Sequence, residues 1–253
     1  YGRQLVDDDD IKAVVEVLRG EFLTQGPVVG QFEAELARVC GARHAVAVTN
    51  GTVALHLACL AAGVGPGDEG ITVPITFAAS ANCVAYCGGT PRFVDIERET
   101  WNLDPALLAP AIGKRTKVVV PVHFAGLPCD MTAIREIADS HGVIVIADAC
   151  HALGATYGGL AIADAALAQL TCLSFHPVKH ITTGEGGAVL TDDDKLANKL
   201  RTLRNHGMVS DPAAIMPGQG GWYREMQVLG TNARLSDVHC ALGLSQLRKL
   251  PGF

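Results

Sequence analysis

The chain has 253 residues, of which 49% are hydrophobic and 18% charged, so it can form a packed globular core and does not have a disordered composition. Its formal net charge of −6 argues against a nucleic-acid-binding protein, which usually presents a basic face. Its apolar runs are far shorter than the roughly 18 residues that a membrane span needs.

Short runs rich in valine and isoleucine alternate with stretches of helical spacing along the chain. The acidic run at residues 7–10 predicts the start of a first helix, because negative side chains stabilise a helix N-terminus. The elements predicted after it are a strand at 45–48, a helix at 52–62, a strand at 70–73, a helix at 77–86, strands at 91–94 and 117–122, a helix at 131–140, strands at 143–147, 170–174 and 188–190, and a helix at 235–250. This alternation predicts an α/β fold with three layers, αβα, around a mostly parallel sheet.

The eight cysteines lie mostly in apolar runs and include no CxxC pair. This usage favours free thiols over a disulfide framework or a zinc site, and it is typical of a cytoplasmic protein. No secretory signal is visible, although the chain begins at Tyr1 rather than methionine, which leaves a removed leader open.

Ligands of an open parallel sheet bind beyond the carboxyl ends of its strands, so the polar residues that follow each strand are the candidates for a site. The first predicted strand is followed by Gly51 and Thr52 at the start of a helix. Backbone N–H groups at such a position can cradle a phosphate, although a simple helix cap explains the pattern equally well. The P-loop motif is absent.

Two further candidates follow later strands. Asp148 ends a buried strand, where a carboxylate needs a cation, a metal or backbone donors as partners. Lys179 stands between a turn at Pro177 and the glycine-rich residues 184–187, in a largely apolar stretch. A confined, desolvated lysine suits Schiff-base chemistry, although an ordinary structural lysine stays open on this pattern alone.

The three features together point to one cofactor. Pyridoxal phosphate needs a cradle for its phosphate, an acid against its pyridine nitrogen and a lysine for its aldehyde. Gly51 with Thr52, Asp148 and Lys179 supply this set at three strand ends.

The motifs around these residues resemble those of the DegT/DnrJ/EryC1/StrS family of sugar aminotransferases. The matching segments are residues 49–55, 76–82, 122–126, 148–151, 174–187, 232–237 and 241–244. The resemblance runs along the whole chain and is most specific in the segment around Lys179. It implies the large domain of a fold-type-I enzyme that depends on pyridoxal phosphate.

The resemblance also implies a role for each matching residue. Lys179 would bind the cofactor aldehyde covalently and later move the substrate proton. Asp148 would pair with the pyridine nitrogen, Phe77 would stack on the ring, and His151 would reach its phenolic oxygen.

The phosphate would be held by several groups. These are the amides of Gly51 and Thr52, the hydroxyl of Ser174 and, from the neighbouring subunit of a homodimer, Asn232. The active site would therefore be shared across the dimer interface.

Within the family, residues 22–27, 174–179 and 204–207 are most similar to the transaminases of pseudaminic-acid biosynthesis. The expected reaction is amination of the C4 ketone of a UDP-linked 4-keto-6-deoxy-N-acetylamino sugar, with L-glutamate as the donor. Candidate substrate contacts are Thr24, His123, His176 and Tyr223.

The chain departs from the family pattern at Ala147, Gln169 and Thr231, which leaves the details of the substrate open. Its expected organisation is an N-terminal helical arm at residues 1–30 and a cofactor-binding large domain at 31–253. The resemblance further implies a small C-terminal domain, which this chain lacks, that helps to close the site.

Two alternatives stay open. A sugar dehydratase on the same fold would carry histidine in place of the lysine, whereas here Lys179 is present and His180 only follows it. A non-catalytic or regulatory binding protein, or an inactive fragment, would keep the cofactor without turnover.

Overall fold

The computed structural model describes residues 2–209, 213, 215–218 and 220–253. The helices are α1 (Asp8–Leu18), α2 (Pro27–Cys40), α3 (Gly51–Ala61), α4 (Ala79–Tyr86), α5 (Pro105–Ala111), α6 (Met131–Ser140), α7 (Asp194–Leu203) and α8 (Asp237–Lys249). The strands are β1 (His44–Val48), β2 (Glu69–Thr72), β3 (Thr90–Phe93), β4 (Thr116–Val119), β5 (Ile144–Asp148), β6 (Thr156–Tyr157), β7 (Leu160–Ala161), β8 (Leu170–Ser174), β9 (Gly187–Thr191), β10 (Met208–Val209) and β11 (Glu225–Met226).

A seven-stranded sheet in the order β1-β9-β8-β5-β4-β2-β3 forms the centre of the molecule. Neighbours from β8 to β3 are parallel, and β9 is antiparallel to both β8 and β1. The predicted three-layer, mostly parallel α/β fold is therefore confirmed. The single reversed strand places the loop between β8 and β9, which carries Lys179, at the carboxyl end of β8.

Alternate residues of the strands pack into cores on opposite faces of the sheet. Val46 and Val48 join α3, α4 and α7 on one face, whereas Ala45 and Ala47 join α2 and α8 on the other. A third cluster, around Met131 of α6, fills the space under α5 and α6 beside β4 and β5. These apolar layers hold the strand ends at fixed positions.

Helix α1 begins with a capping box, in which Asp7 accepts hydrogen bonds from the first turn and Asp10 accepts from the backbone N–H of Asp7. The Asp10 side chain is buried and also accepts from Gln246 of α8 at 2.7 Å and from Lys249 at 2.9 Å. The acidic run therefore both starts α1 and fixes it to α8. The predicted domain boundary at residue 30 stays a prediction, and α2 runs across it.

Most predicted elements are present with ends shifted by one or two residues. Strand β4 is shorter than predicted and ends at Val119, because the chain continues through Pro121, which has no N–H to donate. Val122 still forms an isolated bridge with Asp148. All eight thiols are unpaired, and none of the helices in the described part of the chain has the length and hydropathy to cross a membrane.

Candidate active site

The predicted phosphate cradle forms at the start of α3. Asn50 caps the helix with its side-chain oxygen, which accepts from the Val53 N–H at 2.9 Å. The amides of Gly51 and Thr52 belong to the first turn of the helix, whose N–H groups have no intrahelical acceptor. They remain oriented for an anion, with the positive end of the helix dipole behind them.

Glycine allows two other segments to approach this turn closely. A Cβ on Gly51 would lie 2.8 Å from the Ser174 Cβ and 3.2 Å from the Cys150 Sγ. A Cβ on Gly187 would lie 2.5 Å from the carbonyl carbon of Asn50. The start of α3 therefore contacts the ends of β8 and β5 and the beginning of β9, and Ser174 lies directly beside the cradle.

Asp148 is the last residue of β5 and is 94% buried, with 6% of its surface exposed. Its Oδ2 accepts from the Ser80 hydroxyl at 2.6 Å, and its Oδ1 accepts from the Cys150 N–H at 3.2 Å. Among the described residues no lysine, arginine or histidine forms an ion pair with it. A buried carboxylate whose hydrogen-bond donors are neutral is suited to receive a cationic ligand group.

The loop that carries Lys179 is fixed at both ends. The Phe175 N–H donates to the Gly186 oxygen at 2.8 Å, which continues the pairing of β8 with β9. The Phe175 ring is fully buried against Phe32, and the Lys179 N–H donates to the His176 oxygen at 2.8 Å, which closes the turn at Pro177. The half-buried Lys179 therefore stands on a rigid base.

The charged groups near the end of β5 shift the pKa values of their neighbours. The pKa of His151 is lowered mainly by burial and then by the charge of Lys179, whereas the charge of Asp148 raises it. Burial, and next Lys179, also lower the pKa of His180. Burial, and next Asp148, raise the pKa of the Cys150 thiol well above its usual value. The charges of Lys179 and Asp148 therefore both act on His151, which indicates that the three groups lie near one another.

His123, predicted as a substrate contact, is buried with 1% of its surface exposed. Its Nδ1 accepts from the Cys129 N–H at 3.2 Å, while its Nε2 is buried and has no hydrogen-bond partner among the residues that the structure describes. Burial lowers the pKa of this imidazole to about 4, against the opposing effect of Asp148. His123 thus lies beneath the surface of the site, a position that favours a supporting role over contact with substrate.

The remaining candidates lie at the surface. Phe77 is 75% exposed on the loop that precedes Ser80, so its ring is free to cover a ligand beside Asp148. His176, Thr24 and Asn232 are also exposed, and Asn232 forms a bridge with Asn205 rather than with the cradle of its own chain. Their predicted roles stay predictions.

Tyr223 lies on a loop before β11. Its ring packs edge-on against Trp222, and loss of hydration and the nearby Glu225 raise the pKa of its phenol. No hydrogen bond or ion pair in the described part of the chain joins Tyr223 to Asp148 or Lys179. Its contact with substrate likewise stays a prediction.

Sequence reasoning assigned no role to Thr76 and Ser80. Their hydroxyl oxygens lie 2.7 Å apart, and Ser80 is fully buried against Asp148. The available signal was a pair of hydroxyl residues four apart, but Thr76 precedes α4, so the spacing alone does not bring the two together. Only the structure shows that this pair faces Asp148.

These observations fit pyridoxal phosphate. The first turn of α3 offers an anion cradle beside Ser174, the buried Asp148 carboxylate forms no ion pair within the described ranges, and the Lys179 amine lies on the loop that follows β8. Each matches one reactive part of the cofactor: its phosphate, its pyridine nitrogen and its aldehyde.

Comparison with known proteins supports the same assignment. The profile of the DegT/DnrJ/EryC1/StrS aminotransferase family matches residues 4–253. The chain is 45% identical over 250 residues to the spore coat polysaccharide biosynthesis protein SpsC of Bacillus subtilis, covering 99% of this chain and 64% of that protein. The chain thus spans less than two thirds of the length of this relative.

Solved structures show the same fold. PseC of Helicobacter pylori, an aminotransferase involved in the biosynthesis of pseudaminic acid, superposes with a TM-score of 0.91 at 35% identity, over 100% of this chain and 66% of that one. The PLP form of the putative sugar aminotransferase Spr1654 of Streptococcus pneumoniae superposes with a TM-score of 0.90 at 28% identity, over 100% of this chain and 67% of that one. The chain therefore belongs to the DegT/DnrJ/EryC1/StrS aminotransferase family, whose cofactor is pyridoxal phosphate.

Proposed function

We propose that the full-length protein transfers the amino group of L-glutamate to the C4 ketone of a nucleotide-linked 4-keto-6-deoxy sugar, most specifically a UDP-linked N-acetylamino sugar. The observation that carries the proposal is that the charges of Lys179 and Asp148 both act on His151, while the turn at Gly51 packs against Ser174 and Cys150. When bound, the cofactor supplies an electron-accepting ring that stabilises charge on the carbon losing its proton.

Each candidate residue of this chain has a separate proposed role in the reaction. The Lys179 amine would hold the cofactor through its aldehyde and, when it is free, would act as the base that takes the α-proton of glutamate. Such proton transfer by a positioned base contributes about 10²–10⁴-fold to a rate. Asp148 would keep a proton on the ring nitrogen, Phe77 would cover one face of the ring, and His151 would contact its phenolic oxygen.

The phosphate cradle would keep the cofactor in place whenever it is not bonded to Lys179. The amides of Gly51 and Thr52 and the hydroxyl of Ser174 hold it from within the chain. Asn232 is bridged to Asn205 and would reach the phosphate of a second subunit in a homodimer. The amino donor and the sugar react in turn at one site, so each half-reaction uses the same residues.

The substrate class rests on the relatives. SpsC takes part in spore coat polysaccharide biosynthesis and PseC in pseudaminic acid biosynthesis, and both are similar to this chain along its whole length. An activated amino sugar is the shared chemistry of such products. The UDP linkage rests on residues 22–27 and 174–179, which are most similar to the pseudaminic-acid branch.

The test is turnover by the full-length protein. UDP- and dTDP-linked 4-keto-6-deoxy sugars are supplied with L-glutamate, and both the amino sugar and 2-oxoglutarate are quantified. Equal amounts of the two products with the UDP sugar support the proposal, and the Lys179→Arg variant sets the baseline. Deoxygenation without amine formation would identify a dehydratase, and cofactor binding without any turnover of glutamate would identify a non-catalytic protein.

A further inference from the structure

The first turn of α4 holds a buried hydroxyl that the assigned roles leave unused. Ser80 is fully buried, and its Oγ lies 2.6 Å from the Oδ2 of Asp148. This distance falls in the range of about 2.5–2.7 Å that is typical of a hydroxyl donating to an ionised carboxylate. The same Oγ lies 3.3 Å from the Phe77 oxygen, a longer and weaker alternative.

Hydrogen-bonding capacity fixes the direction of the contacts. An ionised carboxylate only accepts, so the single hydrogen of the Ser80 hydroxyl goes to Asp148. The hydroxyl of Thr76, 2.7 Å away, must then donate to Ser80 rather than accept from it. Thr76, Ser80 and Asp148 therefore form one directed series of hydrogen bonds.

The series leaves the carboxylate anchored but not neutralised. The Cys150 N–H donates to Oδ1, the Ser80 hydroxyl donates to Oδ2, and the Cys150 thiol is also hydrogen-bonded to the carboxylate, so all of these donors are neutral. Burial keeps the His123 imidazole neutral near pH 7, because its pKa is lowered to about 4. The charge of Asp148 thus stays available for a ligand cation.

We propose that Ser80 is a positioning residue for the reaction: its hydroxyl, oriented by Thr76, holds the Asp148 carboxylate in the one orientation that keeps the cofactor ring nitrogen protonated. This inference rests on the proposed function. A hydroxyl is suited to the task because it donates to the carboxylate without adding a positive charge that would compete with the ring.

The test compares Ser80→Ala with Thr72→Val in the full-length protein. Thr72 is a matched control, because its buried hydroxyl donates to the Val120 oxygen at 2.8 Å and does not contact Asp148. Three quantities are measured for each variant: the Kd of the apoprotein for pyridoxal phosphate, the pH midpoint of the visible absorbance band of the bound cofactor, and kcat with KM for glutamate.

Ser80→Ala is expected to weaken cofactor binding and lower kcat, each by roughly 10- to 100-fold, as expected for loss of a hydrogen bond to a charged group. The KM for glutamate should change little. The pH midpoint of the visible band should rise, because a less firmly protonated ring withdraws less charge from the nitrogen on Lys179. Thr72→Val should match the wild type in all three quantities.

Thr76→Val should have a smaller effect of the same kind, since Ser80 keeps its own hydrogen for Asp148. Ser80→Cys restores a weak donor of similar size and should recover part of the cofactor affinity. This variant replaces Ser80→Ala in the test if the alanine variant does not fold. Wild-type affinity and an unmoved pH midpoint in Ser80→Ala would overturn the inference. The Kd for pyridoxal phosphate and the pH midpoint test the role of Ser80 even if the protein turns over no sugar. Failure of the proposed reaction is therefore distinguishable from failure of this inference.

Discussion

Gly187 shows at the scale of one residue how the site is built. It opens β9 and pairs with both Val48 of β1 and Ser174 of β8. A side chain here would collide with backbone atoms of the cradle, which cannot move aside as a flexible side chain can. The glycine-rich motif therefore serves close packing of three segments.

Gly187→Ala is expected to lower the free energy of unfolding by about 3 kcal/mol, as overpacking of a rigid site does, and to weaken cofactor binding. Gly30→Ala is the matched control, because no atom lies within 4 Å of its Cβ position in α2. That change should stabilise the protein by about 0.5–1 kcal/mol. Urea unfolding of both variants measures the difference, and equal stabilities would contradict the packing described.

His123 predicts a pH dependence of stability. Its pKa is lowered to about 4 in the folded chain from an ordinary value of 6.5, so below pH 6.5 the unfolded state takes up a proton that the folded state refuses. The contribution of His123 to the free energy of unfolding is therefore fully present above pH 6.5 and decreases as the pH falls toward 4. The loss between pH 7 and pH 5 should be about 2 kcal/mol.

The measurement is urea unfolding of the wild type and of His123→Gln across this range. The variant lacks the titrating group, so its curve should fall less steeply on acidification by the same amount. A parallel pair of curves would show that His123 is not buried in its neutral form. His123→Gln can be less stable at every pH without affecting this comparison, because only the slopes are compared.

At the scale of elements, the sequence predicted the strands and helices that have strong periodicity. The predicted bounds of α6 and β8 match the structure, since both elements have apolar residues at regular spacing and clear flanking turns. Helix α7 was not predicted, although Asp193 caps it and Leu196, Leu200 and Leu203 follow helical spacing, so the sequence does carry a signal for it. Helix α5 is short and contains Pro110, which weakens any helical pattern.

The candidate site was predictable in part. Lys179, Asp148 and Gly51 follow strands, and that position alone brought them to one edge of the sheet. The reversed direction of β9 did not follow from periodicity, which is the same for parallel and antiparallel strands. The contact of Ser80 with Asp148 depends on how α4 packs against β5, and packing between elements distant in sequence is not encoded in a local pattern.

The attachment of α1 to α8 gives a prediction for one element. Asp10→Asn places an amide donor against the Gln246 amide and the Lys249 ammonium, so the free energy of unfolding should fall by about 1–2 kcal/mol. Asp9→Asn, an exposed change in the same turn, should lower the free energy of unfolding by less than about 0.5 kcal/mol. Hydrogen exchange should accelerate across α1 in the first variant alone, and protection equal to wild type would refute the anchoring contact.

At the scale of the whole molecule, the proposed homodimer makes each site depend on two chains. Lys179→Arg and Asn232→Ala variants of the full-length protein, each of low activity, are unfolded together and refolded as a mixture. In a symmetric dimer with Asn232 acting across the interface, mixed dimers regain one intact site and the mixture about a quarter of wild-type activity. If both residues acted within one chain, mixing would restore nothing.

The central claim is that Lys179 carries the cofactor, and borohydride reduction tests it most directly. The full-length protein is saturated with pyridoxal phosphate, reduced and digested, and the modified lysine is located by mass spectrometry. The account predicts a yellow protein, one stable adduct on Lys179, loss of that adduct in Lys179→Arg, and retention in the control Lys195→Arg, whose lysine lies exposed on α7. A colourless protein without an adduct, or an adduct on another lysine, would contradict it.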